Sequence, residues 1–290
     1  MLPDIGIDLY PILLVIGVIL SCVILEFYFK KIGMKKGVST NIELAVTISA
    51  IAGIIFAILF QNLYDFIENP KEYHWTFAMT FFGGLIGGGL TFFLQYFLYL
   101  KKKNPPFLKE VVKVAGACIP LAHGIGRIGC FLDGCCYGKE TDSILGIKFT
   151  TTETKVWPTN LFEAIFLLIL SAILLYLLFK KQSDFTMVIC LLSYGIFRFL
   201  IEFLRGDHRG SFIPGISPSQ FWAILFFLGG VVYLILLLIQ KKRAKEKTVR
   251  EKRFSHPISI QKEPCCFQKG TRFSFILNTE TRSLLYLYKS

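Results

Sequence analysis

Seven long apolar stretches constrain this chain more than any other feature of its sequence. Their approximate bounds are residues 11–29, 43–66, 76–99, 107–125, 159–179, 185–204 and 217–240. About 20 apolar residues in a helix cross a hydrocarbon core of ~30 Å. The chain is 53% hydrophobic and contains 29 Phe, which is more apolar surface than a soluble domain of this length needs to bury. We therefore predict an all-α polytopic membrane protein with seven transmembrane helices.

Basic residues in alternate loops predict the orientation of these helices. Lysine clusters follow the first, third, fifth and seventh stretches, within residues 30–36, 101–103, 180–181 and 241–247. Loops rich in Lys and Arg remain in the cytoplasm. We therefore expect the N-terminus outside and the C-terminus in the cytoplasm. The loops near 67–75, 126–158 and 205–216 would then face outward.

The membrane domain is expected to cover residues 1–240. Residues 241–290 form a basic cytoplasmic tail, which we expect to be disordered and to rest on anionic lipid headgroups. The formal net charge is +12, but the positive charges lie in short clusters between apolar segments. They therefore indicate topology, and the sequence argues against nucleic acid as a partner.

The fourth stretch ends in polar residues that are expensive to place in a membrane. In "HGIGRIGC", the residues His123, Arg127 and Cys130 are spaced i, i+4, i+7, so a continuing helix would carry them on one face. An ionisable side chain at mid-bilayer costs about 2.5–3.5 kcal/mol on insertion scales. Such residues usually face a cavity or a partner. The alternative is that Arg127 extends to the outer headgroups while His123 only packs.

The sixth stretch carries a second charged group in "YGIFRFLIEFLRGD". Arg198 and Glu202 are spaced i, i+4, and Glu202 and Arg205 are spaced i, i+3, so Glu202 could bridge both guanidinium groups on one helical stripe. Two interpretations remain open. The triad either joins neighbouring helices or, because its net charge is positive, binds an anion. The abundant anion in a bilayer is lipid phosphate.

Two further stretches begin with polar residues on the same predicted side. Glu163 would lie near the start of the fifth helix after Pro158, where interaction with the helix dipole alone would explain it. Ser217 is a favourable N-cap for the seventh helix, with Pro218 at its first position and Gln220 nearby. These elements converge on the outer leaflet. They predict a membrane cavity that holds a phospholipid headgroup.

Three cysteines are clustered in "GRIGCFLDGCCYG", at Cys130, Cys135 and Cys136. Zinc sites prefer pairs such as C-x2-C, and the spacing here is C-x4-C-C, so the sequence favours no metal. A disulfide between Cys130 and Cys135 is one interpretation for an outward-facing loop. Apolar packing and direct catalysis by a thiol are the others.

These motifs together resemble the prolipoprotein diacylglyceryl transferase family over most of residues 1–240. The matching residues form four groups: Gly126, Arg127 and Gly138; Tyr194, Gly195, Arg198, Glu202 and Arg205; Pro158, Leu161, Phe162 and Glu163; and the glycine-rich run Gly83 to Gly87. Any one of these groups alone would be weak evidence for the resemblance, but their combination is specific to the family.

The resemblance implies an enzyme of the bacterial cytoplasmic membrane that needs no cofactor. It would transfer the diacylglyceryl group of phosphatidylglycerol to the lipobox cysteine thiol of a preprolipoprotein, and glycerol-1-phosphate would leave. Residues expected to bind substrate are Gly83, Gly84, Arg127, Gly138, Glu163, Tyr194, Arg198, Glu202 and Arg205. Arg127 and Arg198 are expected to stabilise the phosphate of the leaving group, where bidentate contacts are strongest.

The sequence departs from the family at several positions. The family has a histidine, thought to be catalytic, where this chain has Phe82, and its asparagine and glutamate align with Cys130 and Cys135. His123, one helical turn before Arg127, is our candidate for the base. The departures leave two other functions open. The first is a transferase that uses another acceptor, and the second is a phospholipid-binding or transport protein without chemistry.

Overall fold

The computed structural model describes residues 9–68, 70–77, 79–103, 107–205 and 216–255. Within these ranges, seven helices are long and apolar enough to cross a membrane, which confirms the predicted fold class. They are α1 (Leu9–Lys31), α2 (Lys36–Glu68), α3 (Phe81–Gln95), α4 (Leu108–Leu132), α5 (Thr159–Lys181), α6 (Thr186–Ile201) and α7 (Pro218–Ser255). A π-helical turn, Tyr96–Leu100, extends α3, and a 3-10 turn, Glu202–Leu204, extends α6. The orientation of the termini stays a prediction.

Helix α4 has the largest buried share of the seven and lies between α1, α5 and α6. It is longer than predicted, because it continues to Leu132 through the segment that we expected to be an outer loop. Glycines make this close packing feasible. A Cβ on Gly116 would lie 2.5 Å from the backbone nitrogen of Met187, and a Cβ on Gly129 would lie 2.6 Å from the Cα of Tyr10. Tertiary packing thus overrides the low helix propensity of glycine.

Asp133, directly after the end of α4, contacts the start of α1, which the sequence did not indicate. Its two carboxylate oxygens accept hydrogen bonds from the backbone nitrogens of Leu9 (2.9 Å) and Tyr10 (3.0 Å). The first backbone N–H groups of a helix have no partner within that helix. Asp133 satisfies two of them and carries the negative charge that a helix N-terminus favours.

At the other end of the bundle, polar residues connect three helices and the loop between α5 and α6. Tyr28 of α1 donates to Glu110 of α4 (2.6 Å), and Lys113 forms ion pairs with Glu110 (2.9 Å) and Asp184 (2.8 Å). Lys241 of α7 pairs with Asp184 at 2.9 Å. The hydrogen bond from Lys113 lowers the pKa of Asp184 below its usual value, and Lys241 adds to this effect. These pairs explain the charges at the start of α4.

The segment between α4 and α5 returns to the bundle through backbone hydrogen bonds. Ile147 and Val156 exchange two bonds of 3.0 Å each, and Gly138 donates to the carbonyl of Trp157 at 2.7 Å. Lys139 then donates to the carbonyl of Leu204 at 2.8 Å. The cysteine-containing segment is therefore attached to the end of the α6 extension.

The predicted tail begins as regular helix. Residues 241–255 continue α7, and the predicted boundary and disorder of the tail stay a prediction. Residues 256–290, which include Cys265 and Cys266, lie outside the described residues, and the prediction for them is untested.

Candidate active site

Glu163 is the centre of a buried charged cluster between α4, α5 and α6. Its side chain is 1% exposed, and its Oε2 lies 3.0 Å from Nε of Arg127 and 3.7 Å from Nη1 of Arg198. Tyr194 donates a hydrogen bond of 2.8 Å to Oε1. Interaction with the helix dipole alone therefore does not explain Glu163. A buried carboxylate is tolerated only where cations and hydrogen bonds compensate for its desolvation.

Arg198 extends this cluster to the beginning of α7. Its Nη2 lies 2.9 Å from Oε2 of Glu202, so the predicted i, i+4 pair is present, and it donates 2.7 Å to Oγ of Ser219. Ser217 donates a hydrogen bond of 2.9 Å to the other oxygen of Glu202. Sequence reasoning missed Ser219. Ser219 lies two residues after the predicted N-cap Ser217, in the first turn of α7. That turn was expected on the outer side with the other site residues, so its position could have indicated Ser219.

The predicted N-cap of α7 is confirmed. Oγ of Ser217 accepts a hydrogen bond of 3.2 Å from the backbone nitrogen of Gln220, and Oε1 of Gln220 accepts one of 3.1 Å from the backbone nitrogen of Ser217. This reciprocal arrangement is a capping box. Since the Ser217 hydroxyl also contacts Glu202, the cap positions the charged cluster as well as the helix.

Arg205 is buried and directly follows the 3-10 turn that extends α6. The α-helix ends at Ile201, and the 3-10 turn that follows leaves Arg205 in an extended conformation, with φ −83° and ψ 144°. The bridge from Glu202 to Arg205 assumed one continuous α-helix, and it stays a prediction.

His123 and Arg127 lie on one face of α4, as their spacing predicted, and both face Glu163. Nε2 of His123 is 3.7 Å from Oε1 of Glu163, which is too long for a hydrogen bond. The imidazole packs edge-on against the ring of Tyr194, with the centroids 5.4 Å apart. The role of His123 as a base stays a prediction.

Arg127 and Arg198 differ in how many of their guanidinium nitrogens contact groups of the protein. Arg198 is 3% exposed and uses both terminal amines, Nη1 towards Glu163 and Nη2 towards Glu202 and Ser219. Arg127 is 13% exposed, and among the described residues its ion pair is made through Nε alone. The planar end of the Arg127 guanidinium therefore remains available to a ligand such as phosphate, which accepts paired hydrogen bonds.

Comparison with known proteins agrees with the motifs and the membrane fold. A model of the family "Prolipoprotein diacylglyceryl transferase" matches residues 1–236. A phosphatidylglycerol–prolipoprotein diacylglyceryl transferase of Clostridium tetani is 32% identical over 231 residues, which cover 77% of this chain and 90% of that protein. A second one, from Clostridium perfringens, is 32% identical over 84% of this chain and 95% of its own length. This chain belongs to the prolipoprotein diacylglyceryl transferase family.

The family resemblance assigned two glycines of α3, Gly83 and Gly84, to substrate binding. In the structure both of them pack against α2. A Cβ on Gly83 would lie 2.6 Å from Cβ of Phe60, and a Cβ on Gly84 would lie 3.3 Å from the backbone oxygen of Gly53. They allow two helices to approach closely, as small residues do in membrane proteins. Gly138 similarly packs against the Leu204 carbonyl, 2.4 Å from where its Cβ would be. Packing accounts for all three glycines, and their contact with substrate stays a prediction.

Phe82, at the position of the family's histidine, belongs to an aromatic group. Its ring stacks on Trp222 of α7 at 5.3 Å and lies 5.7 Å from the ring of Phe226. Phe226 in turn lies 6.3 Å from the ring of Tyr194, whose hydroxyl bonds to Glu163. The family's histidine position is therefore two ring contacts from the charged cluster, and in this chain it is apolar.

Cys130, Cys135 and Cys136 are free thiols in the structure. The disulfide between Cys130 and Cys135, one of three interpretations of the sequence, is thus not formed. Cys130 is buried on the last turns of α4, and the other two are partly exposed. Hydrogen bonds from the neighbouring thiols, Cys130 first, lower the pKa of Cys136.

Proposed function

We propose that this protein transfers the diacylglyceryl group of phosphatidylglycerol to the lipobox cysteine thiol of preprolipoproteins, the first step of bacterial lipoprotein maturation. The names of its relatives in Clostridium and in Francisella tularensis support the two substrates, phosphatidylglycerol and prolipoprotein. The observation that carries the proposal for the site is the Arg127–Glu163–Arg198 cluster within the membrane helices.

The Arg127 guanidinium favours an anionic ligand. Its ion pair with Glu163 is made through Nε, so its planar end can receive the oxygens of a phosphodiester headgroup in paired hydrogen bonds.

The proposed reaction forms one bond and breaks another. The sulfur of the acceptor cysteine attacks the glycerol carbon that bears the phosphate ester, so a C–S bond forms while the C–O bond to the phosphate breaks. The thiol proton goes to a base, for which His123 is our candidate, and glycerol-1-phosphate leaves with the bonding electron pair. Only the thiolate is a strong nucleophile, which is why a base or a positive field is needed.

The arginines have separate tasks in this scheme. Arg127 offers the free end of its guanidinium to the phosphate and stabilises the charge that develops on it. Arg198 is a positioning residue, because its terminal amines hold Glu163, Glu202 and Ser219. Glu163 fixes the orientation of Arg127 through Nε.

The location of the reaction follows from the predicted topology. The chain is a multi-pass membrane protein by its seven apolar helices. With the N-terminus outside, the polar ends of α4, α5 and α6 lie in the outer half of the cytoplasmic membrane, where an exported signal peptide emerges. The lipobox cysteine would meet the phospholipid headgroup there.

The test uses the purified full-length protein in detergent with phosphatidylglycerol and a synthetic lipobox peptide. We expect mass spectrometry to show a peptide that gains one diacylglyceryl group, with equimolar release of glycerol phosphate. A peptide with serine in place of the acceptor cysteine is the control and should stay unmodified. Modification of the serine peptide or of an amine would favour a different acceptor. Binding of the lipid without any modified peptide would favour a lipid-binding protein.

A further inference from the structure

The three clustered cysteines converge on one point although their sequence spacing does not resemble a zinc motif. The Sγ atoms of Cys130, Cys135 and Cys136 all lie within 4.8 Å of one another. Three thiolates around a zinc ion at ~2.3 Å are about 3.8 Å apart in tetrahedral geometry. Small side-chain rotations would therefore complete the ligand set. We propose that these cysteines form a binding site for one thiophilic cation, with zinc as the ion to test.

Asn160 holds the segment that carries the ligands. This side chain is fully buried, and its Nδ2 donates to the carbonyl of Cys135 at 2.7 Å and to that of Cys130 at 3.3 Å. The backbone nitrogen of Cys135 also donates to the carbonyl of Cys130 at 3.0 Å. One amide from α5 thus fixes the two ligand positions relative to each other. Supporting contacts of this kind orient the ligands of known metal sites.

Cys136 has an unusual backbone conformation that turns the chain at the site. Its φ is +61°, in the left-handed region that non-glycine residues seldom adopt. Such conformations cost about 1–3 kcal/mol and persist where the surroundings impose them. Here Thr159 donates to the carbonyl of Cys136 at 3.2 Å, and Gly134, with φ +62°, begins the turn. The turn brings the third sulfur to the other two.

The charges near the site suit a metal–thiolate complex. When a divalent ion binds, three thiols release three protons, and the complex carries one net negative charge. Arg127 lies one helical turn before Cys130, where side chains three residues apart are neighbours. A positively charged side chain is therefore close to the complex. Because Cys135 and Cys136 are partly exposed, an ion can reach the site from outside, and a fourth coordination position remains for another ligand.

The experiment measures metal binding to the full-length protein in detergent, independently of transferase activity. The protein is reduced, stripped with a chelator, and equilibrated with zinc, and bound metal is counted by mass spectrometry. We expect one zinc ion per chain. Cobalt in place of zinc should give the thiolate-to-metal charge-transfer absorption of a sulfur-rich site. Zinc should also protect three thiols from alkylation, located by peptide mapping at Cys130, Cys135 and Cys136.

Single Cys→Ser variants at the three positions should each weaken zinc binding by at least tenfold. Asn160→Ala should weaken it by about 10–100-fold, as loss of a supporting contact does elsewhere. Cys118→Ser and Cys190→Ser, in buried cysteines of α4 and α6, are matched controls that should bind like the wild type. A double Cys265→Ser/Cys266→Ser variant controls for the tail.

Three results would overturn the proposal. The first is reduced, folded wild-type protein that binds no stoichiometric zinc. The second is binding that only the tail variant abolishes. The third is alkylation of the three cysteines to the same extent with and without zinc. This measurement is made on the wild-type protein, so it does not depend on whether the serine variants fold.

Discussion

Nε of Arg127 lies 3.0 Å from Oε2 of Glu163, and these two residues come from the end of α4 and the beginning of α5. Both side chains are largely removed from solvent, with exposed fractions of 13% and 1%. The same carboxylate oxygen is 3.7 Å from Arg198 of α6. One glutamate thus contacts two arginines from neighbouring helices, and removing it would take away the ion pair of Arg127, whereas Arg198 would keep its pair with Glu202.

Glu163→Gln should destabilise the protein and abolish transfer. Loss of one partner in a buried ion pair typically costs about 3–5 kcal/mol, because the remaining charge is uncompensated. We expect a clear fall in the thermal unfolding temperature in detergent, together with loss of turnover. Glu26→Gln, in an exposed pair with Lys30, is the matched control and should change neither quantity. A Glu163→Gln protein as stable as the wild type would show that the cluster does not depend on this carboxylate.

The variants Arg127→Lys and Arg198→Lys should distinguish a residue that binds the phosphate from one that positions neighbouring side chains. Lysine keeps the charge but lacks the planar fork. Arg127→Lys should lower kcat by about 10²–10³-fold, comparable to the loss of an oxyanion-hole donor, with little change in unfolding temperature. Arg198→Lys should lower both activity and stability, because lysine cannot contact Glu163, Glu202 and Ser219 together. Near-full turnover in a well-expressed Arg127→Lys protein would contradict the phosphate role.

His123→Gln should lower the rate at neutral pH by about 10²–10⁴-fold, the usual contribution of general-base catalysis. Much of this loss should be recovered at alkaline pH, because the acceptor thiol then ionises without a base. The measurement is the ratio of the variant's kcat/KM to that of the wild type across pH. A constant ratio would remove His123 from the mechanism, since a histidine that only packs against Tyr194 gives no alkaline rescue.

The predicted orientation can be tested by cysteine labelling in intact cells. In a background without native cysteines, a cysteine placed at Glu72, which is exposed between α2 and α3, should react with an impermeant maleimide from outside. A cysteine placed at Lys245 should react only after the cells are opened. The reverse pattern would contradict the positive-inside assignment and place the charged cluster on the cytoplasmic side.

Asp184 should contribute stability that depends on pH. Its pKa is lowered by the hydrogen bond from Lys113 and by Lys241, so the contribution is complete above the unfolded value of about 3.9 and is lost as the pH falls through the folded value. Asp184 is 35% exposed, so Asp184→Asn should cost less than about 1 kcal/mol at pH 7. The difference in unfolding temperature between variant and wild type should narrow towards pH 3. A difference that does not change with pH would contradict the ion-pair explanation.

Patterns local in sequence determined the membrane architecture and several site residues. Apolar length predicted all seven helices, helical spacing placed His123 with Arg127 and Arg198 with Glu202, and capping chemistry predicted Ser217 at the start of α7. The spacing and capping relations depend on residues within one or two helical turns, and the apolar length is read within a single helix. The chain therefore carries the information without reference to distant contacts.

Relations between helices were decided only by the tertiary structure. Glu163 becomes the centre of the cluster because α4 and α6 bring two arginines to its carboxylate. Ser219 of α7 accepts a hydrogen bond from Arg198 of α6. The sequence did not indicate that the α-helix ends at Ile201 and continues as a 3-10 turn before Arg205. The cysteines converge through a left-handed residue and an amide from α5. Spacing along the chain cannot specify such contacts, because they depend on how separate helices pack.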